Sequence, residues 1–505
     1  MPAAVACFIS ACSLAPKQIP PALEAVEALP AGFAGSEAAG PHQPLQWWKS
    51  FADPALDRVI AAALASNFDL AGAVARVDQA RERERIAKAS AFPILQPSAA
   101  VSDSDTPTNA GIGAQFDELG LGSDQAGAFG IVLPDRLGLT TYTAAAEVAY
   151  ELDFWGRNRN DARAAGAQRL ASESDYLTAR MGVLAETVRT WLEIVNLRRQ
   201  RELAGGIVEL LQERESLAES RYDRGLTDAS GPRAARQSLR NAQAELPQIE
   251  ALLADAEGRL WVLLGGYRDE RAGLLPHTPT SAAALEPVPA GIPADLLVQR
   301  PDVRAARQRA EAARYAVGAR RAELLPRLSL HGSIGVQSAE AGEWFDPDQW
   351  FRNLTVNLLG PVFQGSRLRG NVALAEARLR EAAAAYGRTV VTAVNEVEAA
   401  LAGLEAGRRR HSLLVSLAEE AGAEADLQER RYLSGVGEYE AWLAAAQVHL
   451  GAQSVRAAAE RDLGYSRLAL HRALGGAWTA GDREAVQQED AAAVDPAPVP
   501  ATTTE

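Results

Sequence analysis

Arg221-Tyr222-Asp223-Arg224-Gly225 has a counterpart further along the chain, Arg431-Tyr432-Leu433-Ser434-Gly435, at a spacing of 210. Reading outward at that spacing needs no gap. Arg157, Arg159, Tyr176, Glu186, Arg198, Arg199, Leu203, Glu209, Leu217, Gln237, Gln243, Leu264, Gly265 and Gly266 recur as Arg367, Arg369, Tyr386, Glu396, Arg408, Arg409, Leu413, Glu419, Leu427, Gln447, Gln453, Leu474, Gly475 and Gly476. Towards the N-terminus the spacing becomes 233, pairing Asp69 with Asp302 and Pro93 with Pro326. The first copy therefore carries an insertion between Pro93 and Gly156, and the Gly-, Ser-, Asp- and Thr-rich stretch from Ser104 to Thr141 reads as an exposed loop that contains it. A self-similar chain is one architecture used twice, so the expected organisation is two repeats, 51–266 and 291–478, rather than the three domains that 505 residues alone would suggest.

Each repeat reads helix, strand, loop, strand, long helix, turn, helix. Proline is absent from Asp135 to Gly231 and from Val362 to Asp495, and Ala, Leu, Glu, Arg and Gln, which lose least entropy in a helix, dominate both stretches. An unbroken helix from Asp161 to Tyr222 would span about 90 Å at ~1.5 Å per residue. Such a helix must lie against others of similar length, on a stripe such as Leu177, Leu184, Trp191, Leu192, Val195, Leu203 and Leu210. Shorter helices broken at Gly182 and at Gly205-Gly206 fit the same residues. Gly225 and Gly435 read as the reversals that end the long helices.

Period-two alternation marks the strands. From Tyr142 to Phe154 one face is Tyr142, Ala144, Ala146, Val148, Tyr150, Leu152 and Phe154, against Thr143, Ala145, Glu147, Ala149, Glu151 and Asp153. From Leu328 to Gln337 the faces are Leu328, Leu330, Gly332, Ile334 and Val336 against Ser329, His331, Ser333, Gly335 and Gln337. Strands at about 95–104 and 350–363 alternate less cleanly. Lengths near ten residues suit a transmembrane barrel, and an ordinary half-buried sheet alternates in the same way. Four strands cannot close a barrel alone, since the smallest have about eight, so spanning strands would require several chains to share one barrel.

Composition narrows the function. Of the residues 47% are hydrophobic, which excludes wholesale disorder, and a net charge of −14 argues against gripping nucleic acid or an anionic surface. No run of about 18 apolar residues occurs, so membrane insertion would have to use strands. Both cysteines, Cys7 and Cys12, fall at the very start of the chain, which leaves no disulfide framework. Ile9-Ser10-Ala11-Cys12 resembles the end of a bacterial lipoprotein signal in residues 1–12 and makes Cys12 a candidate lipidation site, although no Lys or Arg precedes it. Residues 13–50 read as an extended leader, with the Pro-, Ala- and Gly-rich part at 13–46 outside the packed core, 267–290 as a linker, and 479–505 as a disordered acidic tail.

Catalysis finds no support. His42, His277, His331, His411, His449 and His471 show no metal-ligand spacing, and no phosphate-binding loop is present. Gly332-Ser333-Ile334-Gly335 lacks the spacing of a nucleophile elbow and lies in a strand. Neither a catalytic residue, a cofactor nor a metal is expected.

Over Cys12 to about Trp478 the chain resembles the TolC-type outer-membrane efflux factors, in the NodT-like lipoprotein branch. The stretches that carry the likeness are Trp47-Trp48 with Phe51, Asp53-Pro54 and Leu56-Asp57; Asn67 with Asp69-Leu70; Asp153-Phe154-Trp155-Gly156-Arg157; Arg300-Pro301-Asp302-Val303; Leu325-Pro326; Gly360-Pro361-Val362-Phe363; and the paired turns at Arg221 and Arg431. The resemblance implies a mainly α fold with a small β part. In it a homotrimer forms a 12-stranded outer-membrane barrel, four strands per chain, continued by a periplasmic α-helical barrel. It further implies a lipid-anchored, passive export conduit for small molecules in the Gram-negative outer membrane. The conduit would be served by a periplasmic adaptor and an inner-membrane pump, usually of the resistance-nodulation-division class.

On that resemblance Thr143, Glu147, Glu151, Ser329, His331 and Ser333 would face the barrel lumen, and Tyr222, Gly225, Leu226, Tyr432, Gly435, Val436 and Gly437 would form adaptor-docking tips. Family members often carry an aliphatic residue, then Asp, then Arg beyond the second tip; here the corresponding positions are Glu440, Ala444 and Gln447. That gate does not transfer. Glu438 and Glu440 could instead form an acidic ring in a trimer, or be solvated carboxylates at a helix start. A soluble periplasmic scaffold or adaptor without a pore, and a type I protein-secretion channel, are the alternative functions.

Overall fold

The computed structural model describes residues 14–18, 29–30, 32–33, 46–107, 136–268, 273, 293, 297, 299–343 and 346–475. The signal and Cys12, most of the 267–290 linker and the 479–505 tail lie outside them. After a 3-10 turn at Trp47–Phe51 the first repeat runs α1 (Pro54–Ser66), α2 (Phe68–Ala89), β1 (Ile94–Pro107), β2 (Arg136–Leu152), α3 (Arg157–Asp223) and α4 (Ser230–Leu263). The second runs α5 (Pro301–Ala322), β3 (Arg327–Ser338), β4 (Trp350–Leu359), α6 (Arg367–Leu433) and α7 (Tyr439–Ala473). Both long helices have 67 residues, and they start and stop at equivalent places in the repeat, Arg157 with Arg367 and Asp223 with Leu433.

Neither Gly182 nor Gly205-Gly206 interrupts α3. An interior glycine costs about 1 kcal/mol relative to alanine, and the packed apolar flank offsets it. Val183, Leu184, Val188, Trp191, Ile194 and Leu197 are all buried around that point.

Two compact units divide the chain, and neither coincides with a repeat. One gathers Arg81–Gly166, Glu311–Leu379 and the start of the chain to Ile19; the other holds Pro20–Ala80, Ala167–Ala310 and the remainder from Arg380. In the first unit the strands form one antiparallel sheet in the order β1-β2-β3-β4, so the seam between repeats is the β2–β3 ladder, from Tyr142 opposite Ser338 to Leu152 opposite Leu328.

The second unit contains two large cores, one built mainly by each repeat. Trp47, Trp48 and Phe51 pack with Leu56, Val59 and Ile60 of α1, Val188, Trp191 and Ile194 of α3, and Leu260 of α4. Asp53 joins the pieces: its carboxylate caps α1 by accepting from Ala55 N at 2.9 Å and Leu56 N at 3.3 Å, and accepts from buried Trp191 Nε1 at 2.9 Å. The other core sets Val303 against Val390, Val394 and Val397 of α6 and Leu463 and Leu470 of α7.

The reading of residues 13–46 as lying outside the core is corrected at Phe33 and at residues 14–16, and the extended leader read to residue 50 gives way at Trp47 to a 3-10 turn. Trp47 and Trp48 are core residues, and Phe33 is buried in the second core with Leu29 packed beside it. In the other unit, Arg314 Nη1 donates to Pro16 O at 2.7 Å and Arg321 Nη1 to Leu14 O at 3.4 Å. A side chain at Gly318, between those arginines on α5, would meet Ala15 N at 2.7 Å. Short apolar residues in a Pro/Ala-rich stretch carry no periodicity, which is why composition hid these anchors.

Candidate functional site: an amphipathic sheet and two helix tips

Directly opposed residues of an antiparallel ladder share a face, so the register assigns every strand residue to a side. Ser329 opposes Glu151 and Asn357, His331 opposes Ala149 and Thr355, and Ser333 opposes Glu147 and Asn353. Thr143 opposes Ala100 and Gln337, and Glu147 opposes Gln96. The six residues singled out as lumen candidates therefore fall on one polar face of the sheet. On it Ser98 Oγ donates to Glu147 Oε1 at 3.1 Å, and Arg157 forks onto Glu151 at 2.9 and 3.0 Å.

The opposite face is largely apolar and mostly exposed, apart from buried Val336 and the charge of Arg352 opposite Ile334. Leu95, Val101, Val148, Leu152, Ile334, Trp350, Leu354, Val356 and Leu358 are exposed, with Leu354 at 72% and Val356 at 63%. A water-soluble sheet would bury such a face. Exposed aromatics mark one end of the sheet: Phe92 precedes β1, Phe154 and Trp155 follow β2, and Phe363 follows β4. Phe154 and Trp155 meet edge to face at 5.4 Å, and Trp155 Nε1 donates to Pro326 O at 2.8 Å. Strands β1 and β4 are both edges, so the sheet ends in unpaired backbone groups on either side.

Strand ends differ from expectation in two places. The stretch from Ser104 to Thr141, read as loop, is partly ladder: Ser104, Asp105, Thr106 and Pro107 pair with Leu139, Gly138, Leu137 and Arg136. There Arg136 Nε binds Asp105 Oδ2 at 2.8 Å and Thr140 Oγ1 binds Asp103 Oδ1 at 2.9 Å. The apolar face thus gives way to charge beyond Val101 and Tyr142. At the other end β4 stops at Leu359, before Gly360-Pro361, rather than continuing to 363; proline has no N–H for a ladder.

The two tips are built alike. Gly225, at φ +70°, donates to Tyr222 O at 2.8 Å while Leu226 N donates to Arg221 O at 2.9 Å. Gly435, at φ +75°, donates to Tyr432 O and Val436 N to Arg431 O, both at 2.9 Å. This doubly bonded left-handed stop ends both long helices. Gly437 N also reaches Arg431 O at 2.9 Å. Each turn holds one apolar side chain out in the open, Leu226 and Val436, beside half-exposed Tyr222 and Tyr432.

Sequence reasoning missed what joins the tips. Tyr439 Oη donates to Glu213 Oε2 at 2.7 Å, which pushes its phenol up to about 12, and Tyr439 sits in an aromatic group with Tyr432 and Trp442. Glu440 accepts from Arg214 Nη2 at 3.4 Å and Arg221 Nη1 at 3.3 Å. Of the two acidic-ring candidates, Glu440 has its charge facing two guanidinium groups of its own chain. Glu438 stays exposed, its side chain making no cap.

Among the described residues no group of three His, Cys, Asp or Glu side chains could hold a metal ion, and no single helix is long and apolar enough to cross a membrane. An amphipathic sheet with an uncovered apolar face, attached to helices this long, defines a channel-forming membrane protein rather than an enzyme.

The comparisons narrow that class. The outer membrane efflux protein family model matches residues 59–266 and 292–476. The chain is 32% identical to the pyoverdine export outer membrane protein OpmQ of Pseudomonas putida, over 86% of this chain and 88% of that one. It is 30% identical to the outer membrane protein OprJ of Pseudomonas aeruginosa, over 94% and 95%. Its fold matches the Campylobacter jejuni CmeC outer membrane channel with a TM-score of 0.82 and 23% identity, covering 95% of this chain and 99% of that one. The chain belongs to the outer membrane efflux protein family and is an outer-membrane channel of the tripartite-efflux type.

Proposed function

We propose that three copies close their four-stranded sheets into one 12-stranded barrel, whose polar faces line a passive exit duct for small molecules. The observation that carries this reading is the sheet with one uncovered apolar face and two unpaired edges. Hydrocarbon satisfies the face, and β4 of one copy pairing with β1 of the next satisfies the edges. The tips engage a periplasmic adaptor through Leu226 and Val436, and the adaptor connects the duct to an inner-membrane pump, in keeping with the resistance-nodulation-division class. Export of pyoverdine by a relative supports a small-molecule cargo.

Cys12 is the lipid anchor in this reading. What supports it is the grip of Arg321 on Leu14, two residues after Cys12 in sequence. Arg321 itself lies six residues before β3 and its neighbouring aromatics.

Outer-membrane fractions test the assembly. The protein should require detergent for release and run as a trimer that heating converts to monomer. Release as a monomer without detergent would reject the barrel and favour a soluble scaffold. Palmitate labelling that persists in Cys12→Ser would reject the anchor alone.

A further inference from the structure

The two repeats open their long helices with the same pair of cations, Arg157 and Arg159 in α3 and Arg367 and Arg369 in α6. In the first repeat carboxylates at and just beyond the end of β2 neutralise both. Arg157 forks onto Glu151, while Arg159 Nε binds Asp153 Oδ2 at 3.2 Å and its Nη2 donates to Asp153 O at 3.0 Å.

The second repeat keeps the cations and drops the carboxylates. At the spacing of 210, Pro361 stands in place of Glu151 and Phe363 in place of Asp153. Among the described residues neither Arg367 nor Arg369 meets a carboxylate: Arg367 donates to Gln364 Oε1, and exposed Arg369 makes no side-chain bond. Their own helix offers no acid nearby. Residues 370–375 are Gly, Asn, Val, Ala, Leu and Ala, and the first carboxylate of α6, Glu376, is taken by Arg321 at 2.7 Å. In a chain whose net charge is −14, two cations left without an acid are a local feature rather than an overflow of composition.

Bare apolar surface stands where the carboxylates were. Val362 is fully exposed and Phe363 nearly so, and both follow directly on the apolar face of β4, where Leu354, Val356 and Leu358 are exposed as well. The patch lies at the end of the sheet from which the helices leave, which is the periplasmic end of an outer-membrane channel.

We propose that the end of β4 and the start of α6 form a docking surface for an anionic phospholipid of the periplasmic leaflet. Its phosphate takes the place on Arg369 and Arg367 that Asp153 and Glu151 hold in the first repeat, and its glycerol and upper acyl chain lie on Phe363, Val362 and Leu358. A lipid at the rim of the sheet presents the two chemistries in the required order, hydrocarbon alongside the strands and phosphate where the helices begin. Guanidinium groups form strong charge-assisted bonds to phosphate, and the ammonium of a zwitterionic headgroup is repelled by the same arginines. The site rests on the reading that the apolar sheet face meets lipid, and it adds which lipid and where. Each chain carries it in the second repeat alone.

Detergent-solubilised trimer, titrated separately with phosphatidylglycerol and with phosphatidylcholine, tests the site when bound lipid is counted by native mass spectrometry. Phosphatidylglycerol should bind about tenfold more tightly, and Arg367→Gln with Arg369→Gln should abolish that preference. Phe363→Asp keeps both arginines and restores the carboxylate of the first repeat, so it should lower the preference too. Arg136→Gln removes a cation at the opposite end of the sheet and should leave the preference unchanged. A wild-type trimer that binds the two lipids equally, or a preference that survives the double variant, overturns the site and leaves the barrel standing. A preference lowered as much by Arg136→Gln overturns it as well, since charge anywhere would then suffice. A wild-type protein that stays monomeric and needs no detergent overturns the barrel and the site with it.

Discussion

Asn67 and Arg300 occupy the same place in the two repeats, and each reaches the last carbonyl of a helix. Asn67 Nδ2 donates to Leu263 O and Arg300 Nη1 to Ala473 O, both at 2.9 Å. Different side chains thus perform one task, closing α4 onto the turn before α2 and α7 onto the turn before α5. Arg300 does more, since it also binds Asp302 at 2.6 Å and Glu396 at 2.7 Å. Burial works against its charge, but Asp302 and then Glu396 outweigh that and hold the guanidinium above its ordinary range. Arg300→Ala should therefore destabilise the protein by about 2–3 kcal/mol, because a buried guanidinium bonded to two part-exposed carboxylates and a helix-end carbonyl is lost. Asn67→Ala should cost only about 1–2 kcal/mol, the loss of a cap and one carbonyl bond. Chemical unfolding of the two variants checks the order; equal losses would contradict it.

Ser366 stands where the first repeat has Gly156, at the entry to a long helix, and both have positive φ, +65° and +78°. A left-handed conformation costs a non-glycine residue roughly 1–2 kcal/mol. Ser366→Gly should raise the unfolding midpoint by the equivalent of about 1 kcal/mol, and Gly156→Ser should lower it. A midpoint unchanged by Ser366→Gly would show that its turn carries no strain.

His471 is stacked on Trp47 at 4.9 Å in the first core, and burial, then Arg467, push its imidazole down to about 3. The folded value lies below the ordinary 6.5, so the unfolded chain binds the proton first as pH falls. Stability is complete above about pH 6.5 and declines from there towards pH 3. Unfolding midpoints measured at pH 7 and pH 5 should differ more for the wild type than for His471→Phe, which keeps the ring stack without the titration.

The links from Glu213, Arg214 and Arg221 to Tyr439 and Glu440 tie the start of α7 to the last turns of α3. The ion pairs are half exposed, with side chains 34–45% accessible, so each is worth at most about 1 kcal/mol. On the proposed reading, in which the tips form the duct's periplasmic mouth, links of that strength hold it closed and still release when the adaptor docks. Tyr439→Phe combined with Glu440→Gln should raise the conductance of channels in planar bilayers without loss of trimer. Unchanged conductance would show that these links are structural only.

The repeat made most of this fold legible. A shared spacing located both long helices, both glycine stops and the strand pairs, because helix length and left-handed turns are written locally. Two features were not legible, for different physical reasons. The strand ends at Asp103–Pro107 and Arg136–Thr141 put Asp103, Asp105, Arg136 and Thr140 where the apolar face of Tyr142–Phe154 would continue, so that alternation does not extend into them while the backbone ladder does. Trp47, Phe33 and the Tyr439–Glu213 bond depend on partners far away in sequence, and no local pattern encodes them.

The central claim is that alternate residues of β2 face water and lipid. Single cysteines placed along that strand in native outer membranes, and treated with a charged, water-soluble thiol reagent, test it most directly. Glu147→Cys and Glu151→Cys should be labelled, whereas Ala146→Cys, Val148→Cys and Tyr150→Cys should resist. Equal labelling of both series would contradict the barrel.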